Sequence, residues 1–282
     1  MLILDRVGTA QQWCVEQKRA GKTIGLVPTM GYLHEGHLAL VEQARQQCDV
    51  VVVSIFVNPM QFGVGEDFET YPRDLSRDVT MLEDLGADAL FAPSIAEMYP
   101  LGYNTFVEVG GDITARLCGA SRPGHFKGVA TVVSKLFNIC VPDLAYFGQK
   151  DAQQVMVLEK MVRELNIPLE IVRVPIVREE DGLAKSSRNV YLDTEQRRQA
   201  LVLSKALQEA ERMIIQGERD VARLKGIMCA VIAASPQAVI DYVEIYDAAD
   251  LGDVEQVDRK VLMALAVKFG STRLIDNLLV EV

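Results

Sequence analysis

The sequence predicts an α/β fold: a Rossmann-like parallel sheet in an N-terminal domain, followed by a smaller α+β C-terminal domain. Three observations carry that reading. Apolar runs of strand length alternate with helical stretches as far as residue 175. The run Val50-Val51-Val52-Val53-Ser54-Ile55-Phe56-Val57 is apolar without alternation, as a strand covered on both faces is. Beyond Pro175 the order changes to two helices and then three strands. A length of 282 residues, at roughly 150 per domain, also suits two domains.

The elements follow in order. Ala10, Trp13, Cys14 and Gln17 recur at helical spacing over 9–20, and Gly21 stops that helix before a strand at 23–27. Leu38, Leu40, Val41 and Ala44 give a helix over 35–47 its apolar face, and the strand 50–57 comes next. The alternation continues through a helix at 75–85, a strand at 89–91, a helix at 129–140, a strand at 144–147, a helix at 151–165 and a strand at 169–174. Such crossovers place a ligand at the carboxyl ends of the strands. After Pro175 comes a polar turn, Glu179-Glu180-Asp181-Gly182, then helices over 194–216 and 220–234. Strands at 238–246, 261–269 and 272–279 end the chain, the last two joined at Gly270-Ser271. The domains are therefore expected at 1–175 and 176–282.

Composition narrows the function. Hydrophobic residues at 49% and charged residues at 24% are a globular mixture. Lys plus Arg is 29 against 39 for Asp plus Glu, and the net charge of -10 has the wrong sign for a nucleic-acid partner. The five cysteines, Cys14, Cys48, Cys118, Cys140 and Cys229, contain no C-x-x-C pair and read as free thiols of a reducing compartment. The start MLILDRVGTAQQW has no basic segment leading into a long apolar run, and no stretch reaches the ~20 apolar residues of a membrane span. A cytoplasmic protein is expected.

Two of the three histidines, His34 and His37, lie in Met30-Gly31-Tyr32-Leu33-His34-Glu35-Gly36-His37, between the first of these strands and the next helix. That junction offers backbone N–H groups and a helix N-terminus to a phosphate, and two imidazoles there donate to phosphoryl oxygens. Their spacing is not the i, i+4 of a zincin helix, so no metal site is assigned. Gly21-Lys22-Thr23 is not a P-loop, because position 16 is Glu, and neither G-x-G-x-x-G nor G-x-S-x-G occurs. Two basic clusters stand out in an acidic chain, Arg122-Pro123-Gly124-His125-Phe126-Lys127 and Lys185-Ser186-Ser187-Arg188-Asn189; the second suits a polyphosphate. Gly148-Gln149-Lys150-Asp151 ends a strand, where Lys150 could meet a phosphate and Asp151 a ribose hydroxyl. Gln61 and Gln154, near the same rim, offer the paired donor and acceptor that a hydroxy acid needs.

The histidine pair followed by a late Lys-Ser-Ser loop resembles the nucleotidyltransferase superfamily with the HxGH motif. The ordered strings VPTMGYLHEGH, VVVSIFVNPMQF, YPR, RPGHFKGVATVVSKLFN, FGQKDAQQ, DGLAKSSRN and TRLIDN resemble, more narrowly, the pantoate–β-alanine ligase family. The resemblance implies a homodimer whose Rossmann-like ATP domain is closed over by the smaller one, and a reaction that joins pantoate to β-alanine with ATP and magnesium. Pantoyl adenylate and pyrophosphate would form first, and the β-alanine amine would then displace AMP. By the same resemblance ATP falls to Met30, Gly31, Tyr32, Leu33, His34, Glu35, Gly36, His37, Gly148, Gln149, Lys150, Asp151, Val177, Lys185, Ser186, Ser187 and Arg188. His37, His34 and Lys150 are the implied catalytic residues, with His37 the proton donor. Gln61 and Gln154 would bind pantoate, Gln61 also β-alanine, and Arg122 and His125 would contact phosphates or pantoate. The family's pattern has an acidic residue at Gln149, an aromatic at Ala152 and an apolar residue at Lys185, so Lys185 either contacts phosphate or faces solvent. A nucleotidyltransferase that stops at the adenylylated product, and a nucleotide-sensing or tRNA-binding module, are the alternatives.

Overall fold

The computed structural model describes residues 1–281. In chain order it contains β1 (Leu2–Leu4), α1 (Val7–Arg19), β2 (Ile24–Thr29), α2 (Glu35–Gln47), β3 (Val50–Ile55), α3 (Leu75–Asp84), β4 (Ala89–Phe91) and α4 (Ile95–Met98). There follow α5 (Asp112–Ala115), α6 (Cys118–Ser121), α7 (His125–Cys140), β5 (Leu144–Gly148), α8 (Ala152–Glu164), β6 (Glu170–Val174) and α9 (Thr194–Gln199). The chain ends with α10 (Val202–Ile215), α11 (Val221–Ala233), β7 (Ala238–Asp247), β8 (Val261–Phe269) and β9 (Thr272–Val280). It divides into two compact units: Met1–Val109 with Arg122–Gln149 and Gln153–Pro175, and Gly110–Ser121 with Lys150–Ala152 and Ile176–Val282.

The first unit is built on a parallel sheet in the order β1-β4-β3-β2-β5-β6. Its central strands are buried on both faces, which is why β3 can read Val-Val-Val-Val without alternation. Val27 pairs with Val53 and Val53 with Leu90, and Leu40, Val41 and Ala44 of α2 pack on this row. From β2 the chain winds one way through β3 and β4, and the other way through β5 and β6. The order thus reverses between β2 and β5, the place where open α/β sheets accept ligands. The strand β1 goes beyond the predicted elements, because three residues are too few to show a period; it is held by pairing Leu2–Leu4 with Ala89–Phe91. The helix α7 starts at His125, four residues before the predicted 129, because Gly124 at φ 82° supplies the break.

In the second unit β8 lies between β7 and β9, antiparallel to both. Leu203, Leu207, Leu224, Met228 and Ile232 of α10 and α11 share a core with Met263, Leu265 and Val267. Phe269 pairs with Thr272 across the two-residue turn Gly270-Ser271, with Gly270 at φ 59°. The predicted 194–216 helix is two helices, because Ala200 and Leu201 tighten at ψ -16° and -18° and interrupt the α-helical ladder. Among the described residues no helix is long and apolar enough to cross a membrane, and all five cysteines are free.

The helix α7 meets the turn Pro59–Gln61 at Gly128, where a Cβ would stand 2.2 Å from the Met60 carbonyl oxygen. We therefore expect Gly128→Ala to destabilise the protein by about 1–3 kcal/mol, the usual result of overpacking, seen as a lower denaturant midpoint.

Candidate active site

The site begins where β2 ends. The turn from Met30 to His34 contains Gly31 at φ 79° and Tyr32 at φ 50°, both left-handed. A side chain at Gly31 would meet Ile55 Cγ2 at 2.8 Å and Asp78 Oδ2 at 3.1 Å, so only glycine fits this approach. Such a turn aims successive N–H groups into one concavity, a natural anion site. The anion here is internal: Asp78 Oδ2 accepts from Tyr32 N at 2.7 Å and Oδ1 from Leu33 N at 2.8 Å. Burial pushes the Asp78 carboxyl up, against the pull of these two N–H groups and of Arg77.

The neighbouring donors are also used inside the turn. Gly31 N donates to Thr29 Oγ1 at 3.1 Å, and His37 N to the His34 carbonyl at 2.7 Å. His34 is the N-cap of α2: its Nδ1 accepts from Gly36 N at 3.1 Å, while His37 Nδ1 accepts from His34 N at 3.4 Å. The two rings lie 4.0 Å apart. A nitrogen that accepts carries no proton, so each neutral imidazole holds its hydrogen on Nε2. Two imidazole Nε2–H groups thus lie at this helix N-terminus, beside backbone N–H groups of which several are used within the turn.

Gln61 is placed by Asn58, which is 1% exposed. Asn58 Nδ2 donates to Gln61 Oε1 and to the Gly128 carbonyl, both at 3.1 Å, while its Oδ1 accepts from Tyr99 OH at 2.8 Å. Gln61 Nε2 in turn reaches Met30 Sδ at 3.2 Å, which joins this turn to the histidine turn. Arg122 and His125 come to the Gln61 carbonyl, with Arg122 Nη2 at 3.2 Å and His125 Nδ1 at 2.8 Å. His125 therefore carries its proton on Nδ1, the reverse of His34 and His37, and its Nε2 accepts from Arg122 Nη1 at 3.1 Å. Arg122 also forms a two-point pair with Glu66 at 2.7 and 2.6 Å. Burial alone would raise the Glu66 carboxyl, but the Arg122 hydrogen bonds and charge hold it at about 2. Gln154 lies half-buried on α8. A mostly apolar cavity of about 300 Å³, lined by Met30, Tyr32, Phe56, Phe68 and Pro93 among others, opens beside the histidine turn.

Gly148 and Gln149 belong to the first unit, whereas Lys150, Asp151, Val177 and residues 185–188 belong to the second. There β9 organises them. Asn277 Nδ2 donates to the Lys150 carbonyl at 2.9 Å, and Asp276 takes both ends of Arg178 at 2.6 and 2.9 Å. Arg178 pairs with Ala184 in a hairpin in which Lys185 N donates to the Val177 carbonyl at 2.9 Å. Lys185 Nζ lies 2.6 Å from Glu179, and Lys150 Nζ 3.3 Å from Asp151. Ser186 caps the helical turn Ser187–Tyr191 by accepting from Arg188 N at 3.3 Å, and Ser187 is buried.

The sequence reading passed over Asp78, Asp276 and Asn277 as site-builders. Asp78 had a signal: a carboxylate one turn before buried Leu82, on the apolar stripe of α3.

Residues 2–279 match the family model described as pantoate-beta-alanine ligase. The chain belongs to this family. It is 64% identical over 282 residues to a pantothenate synthetase of Syntrophomonas wolfei, with all of both chains covered. The crystal structure of pantothenate synthetase from Thermus thermophilus superposes with a TM-score of 0.93 at 48% identity, covering 99% of each chain. A pantoate-beta-alanine ligase from Francisella tularensis, solved in complex with beta-gamma ATP and beta-alanine, gives 0.81 at 34% identity, covering 99% of this chain and 97% of that one. This ligase family member thus shares its fold with these relatives along nearly the whole chain.

The Glu66 pair gives a pH signature. Its folded pKa of about 2 lies below the ordinary 4.5, so its contribution to stability is complete above 4.5 and is lost as pH falls toward 2. The drop in denaturant midpoint between pH 6 and pH 3 is expected to be smaller in Glu66→Gln than in the unsubstituted protein.

Proposed function

We propose that the chain condenses pantoate with β-alanine using ATP, releasing AMP and pyrophosphate through a pantoyl adenylate. What supports this is the match of residues 2–279 to one ligase family, in a chain whose β2–α2 turn places two imidazoles with Nε2–H at a helix N-terminus. In the first step a pantoate carboxylate oxygen bonds to the α-phosphorus while the bond from that phosphorus to pyrophosphate breaks. Two anions must meet, so donors and cations have to offset their repulsion and hold the attack in line. His34 and His37 donate hydrogen bonds to the phosphoryl oxygens; for His37 also to pass a proton to the departing group it must act as the imidazolium, with Nδ1 protonated and its bond from His34 N given up. In the second step the β-alanine nitrogen bonds to the acyl carbon, the carbon–oxygen bond to AMP breaks, and the amine gives up a proton.

ATP contacts are assigned to Met30 through His37, Gly148, Gln149, Lys150, Asp151, Val177 and Lys185 through Arg188. Gln61 and Gln154 take pantoate, and Gln61 also β-alanine. Arg122 and His125 act through the Gln61 carbonyl that both of them hold. Magnesium is assigned as entering with the ATP substrate, on its phosphate oxygens. A cytoplasmic homodimer completes the proposal.

The test is AMP and pyrophosphate release from ATP and magnesium, with pantoate and β-alanine omitted in turn. Pyrophosphate in stoichiometric amount with pantoate alone, and AMP only when both are present, is the expected result. Pyrophosphate without pantoate, or no turnover, would sink the reading. His37→Ala is expected to lower kcat by about 10²–10³-fold, the usual loss for one transition-state donor. Lys185→Leu is expected to raise the ATP KM severalfold; an unchanged KM would leave Lys185 serving Glu179 alone.

A further inference from the structure

The geometry points to Asp78 as the positioning residue of the histidine pair, an inference that rests on the adenylation chemistry proposed above. Asp78 touches neither imidazole. It is 1% exposed on α3 and holds the Tyr32 and Leu33 N–H groups, one on each carboxylate oxygen. Those two N–H groups immediately precede His34, and His34 is at once the cap of α2 and the anchor of His37.

A single buried carboxylate therefore sets the path of the backbone from the left-handed pair Gly31 and Tyr32 into the cap. A buried charge is costly unless hydrogen bonds offset it, and two buried N–H groups without acceptors are costly as well. Each need meets the other here, so the turn has one low-energy shape. Thr29 Oγ1, bonded to Gly31 N and to the Ser54 carbonyl, braces the entry side. Arg77 closes the exit, with Nη1 3.8 Å from Asp78 Oδ1 and its guanidinium 5.2 Å from the centre of the Tyr32 ring. An isosteric amide cannot reproduce this: Asn presents one oxygen and one NH₂, and the NH₂ would face a backbone N–H. The turn would then relax, and both imidazoles would move with it.

Three histidines with two opposite proton placements make this measurable. In protein labelled with ¹⁵N-histidine, His34 and His37 should show the Nε2–H form and His125 the Nδ1–H form. In Asp78→Asn the His34 and His37 signals should shift toward mixed forms while His125 stays in place. Pantoate-dependent kcat should fall by about 10–100-fold with the ATP KM within about twofold, because an ångström of misplacement acts on the transition state. Unchanged His34 and His37 signals, or a loss explained entirely by a smaller folded fraction, would overturn the assignment. Should Asp78→Asn fail to fold, amide exchange in the unsubstituted protein decides: Tyr32 and Leu33 protected like β2 support the clamp, and exchange at surface rates refutes it. If the unsubstituted protein shows no pantoate-dependent pyrophosphate release, the functional reading fails, and the imidazole spectra still decide the role of Asp78.

Discussion

The constraint on which the site depends is the need to satisfy the backbone where β2 leaves the sheet. A buried N–H without an acceptor is costly, and this turn carries several in succession. They are met by Thr29, Asp78 and the two imidazoles themselves. The helix cap and the proposed reactive group consequently belong to the same side chain. His34 caps α2 through Nδ1, and that bond leaves its hydrogen on Nε2, the donor in the reaction proposed above. Stability and function are served by opposite edges of one ring, so the site needs no loop of its own to present it.

A second arrangement of the same kind surrounds Gln61. Asn58 fixes its amide, Arg122 and His125 fix its carbonyl, and Glu66 neutralises Arg122. Gly128 lets α7 approach closely enough for its carbonyl to receive Asn58. Gln61 is thus held by groups that lie far along the chain from it as well as by its near neighbour Asn58. In the second unit Asp276 and Asn277 do the same for the 177–185 hairpin and for Lys150.

What the sequence made legible follows from this division. Elements with a long period and a marked start were readable to the residue: the helix expected at 35–47 is Glu35–Gln47, and the strand at 261–269 is Val261–Phe269. Elements of three or four residues, such as β1, α4, α5 and α6, show no period and are held by pairing or packing that only the folded chain reveals. The histidine turn was legible as chemistry because two imidazoles beside two glycines are unusual. Its wiring was not, since Asp78 lies more than forty residues away and appears locally as one more polar residue of a helix. That Arg122 is paired with Glu66 was not legible either, since residue type alone cannot reveal a carboxylate fifty-six residues away.

That internal pairing is general in this chain. A protein of net charge -10 has to admit substrates that are themselves anions. Its long-range field opposes them, although at physiological salt the opposition fades over about 8 Å. At short range Arg122 is paired with Glu66, Lys185 with Glu179 and Lys150 with Asp151. Each pair keeps a cation in place with its charge offset. Directed hydrogen bonds, which act only within contact distance, are then the means of recognition that this charge distribution favours. Neutral imidazole donors suit that arrangement: they add directed N–H groups at the helix N-terminus without adding a fixed charge for the acidic surroundings to neutralise.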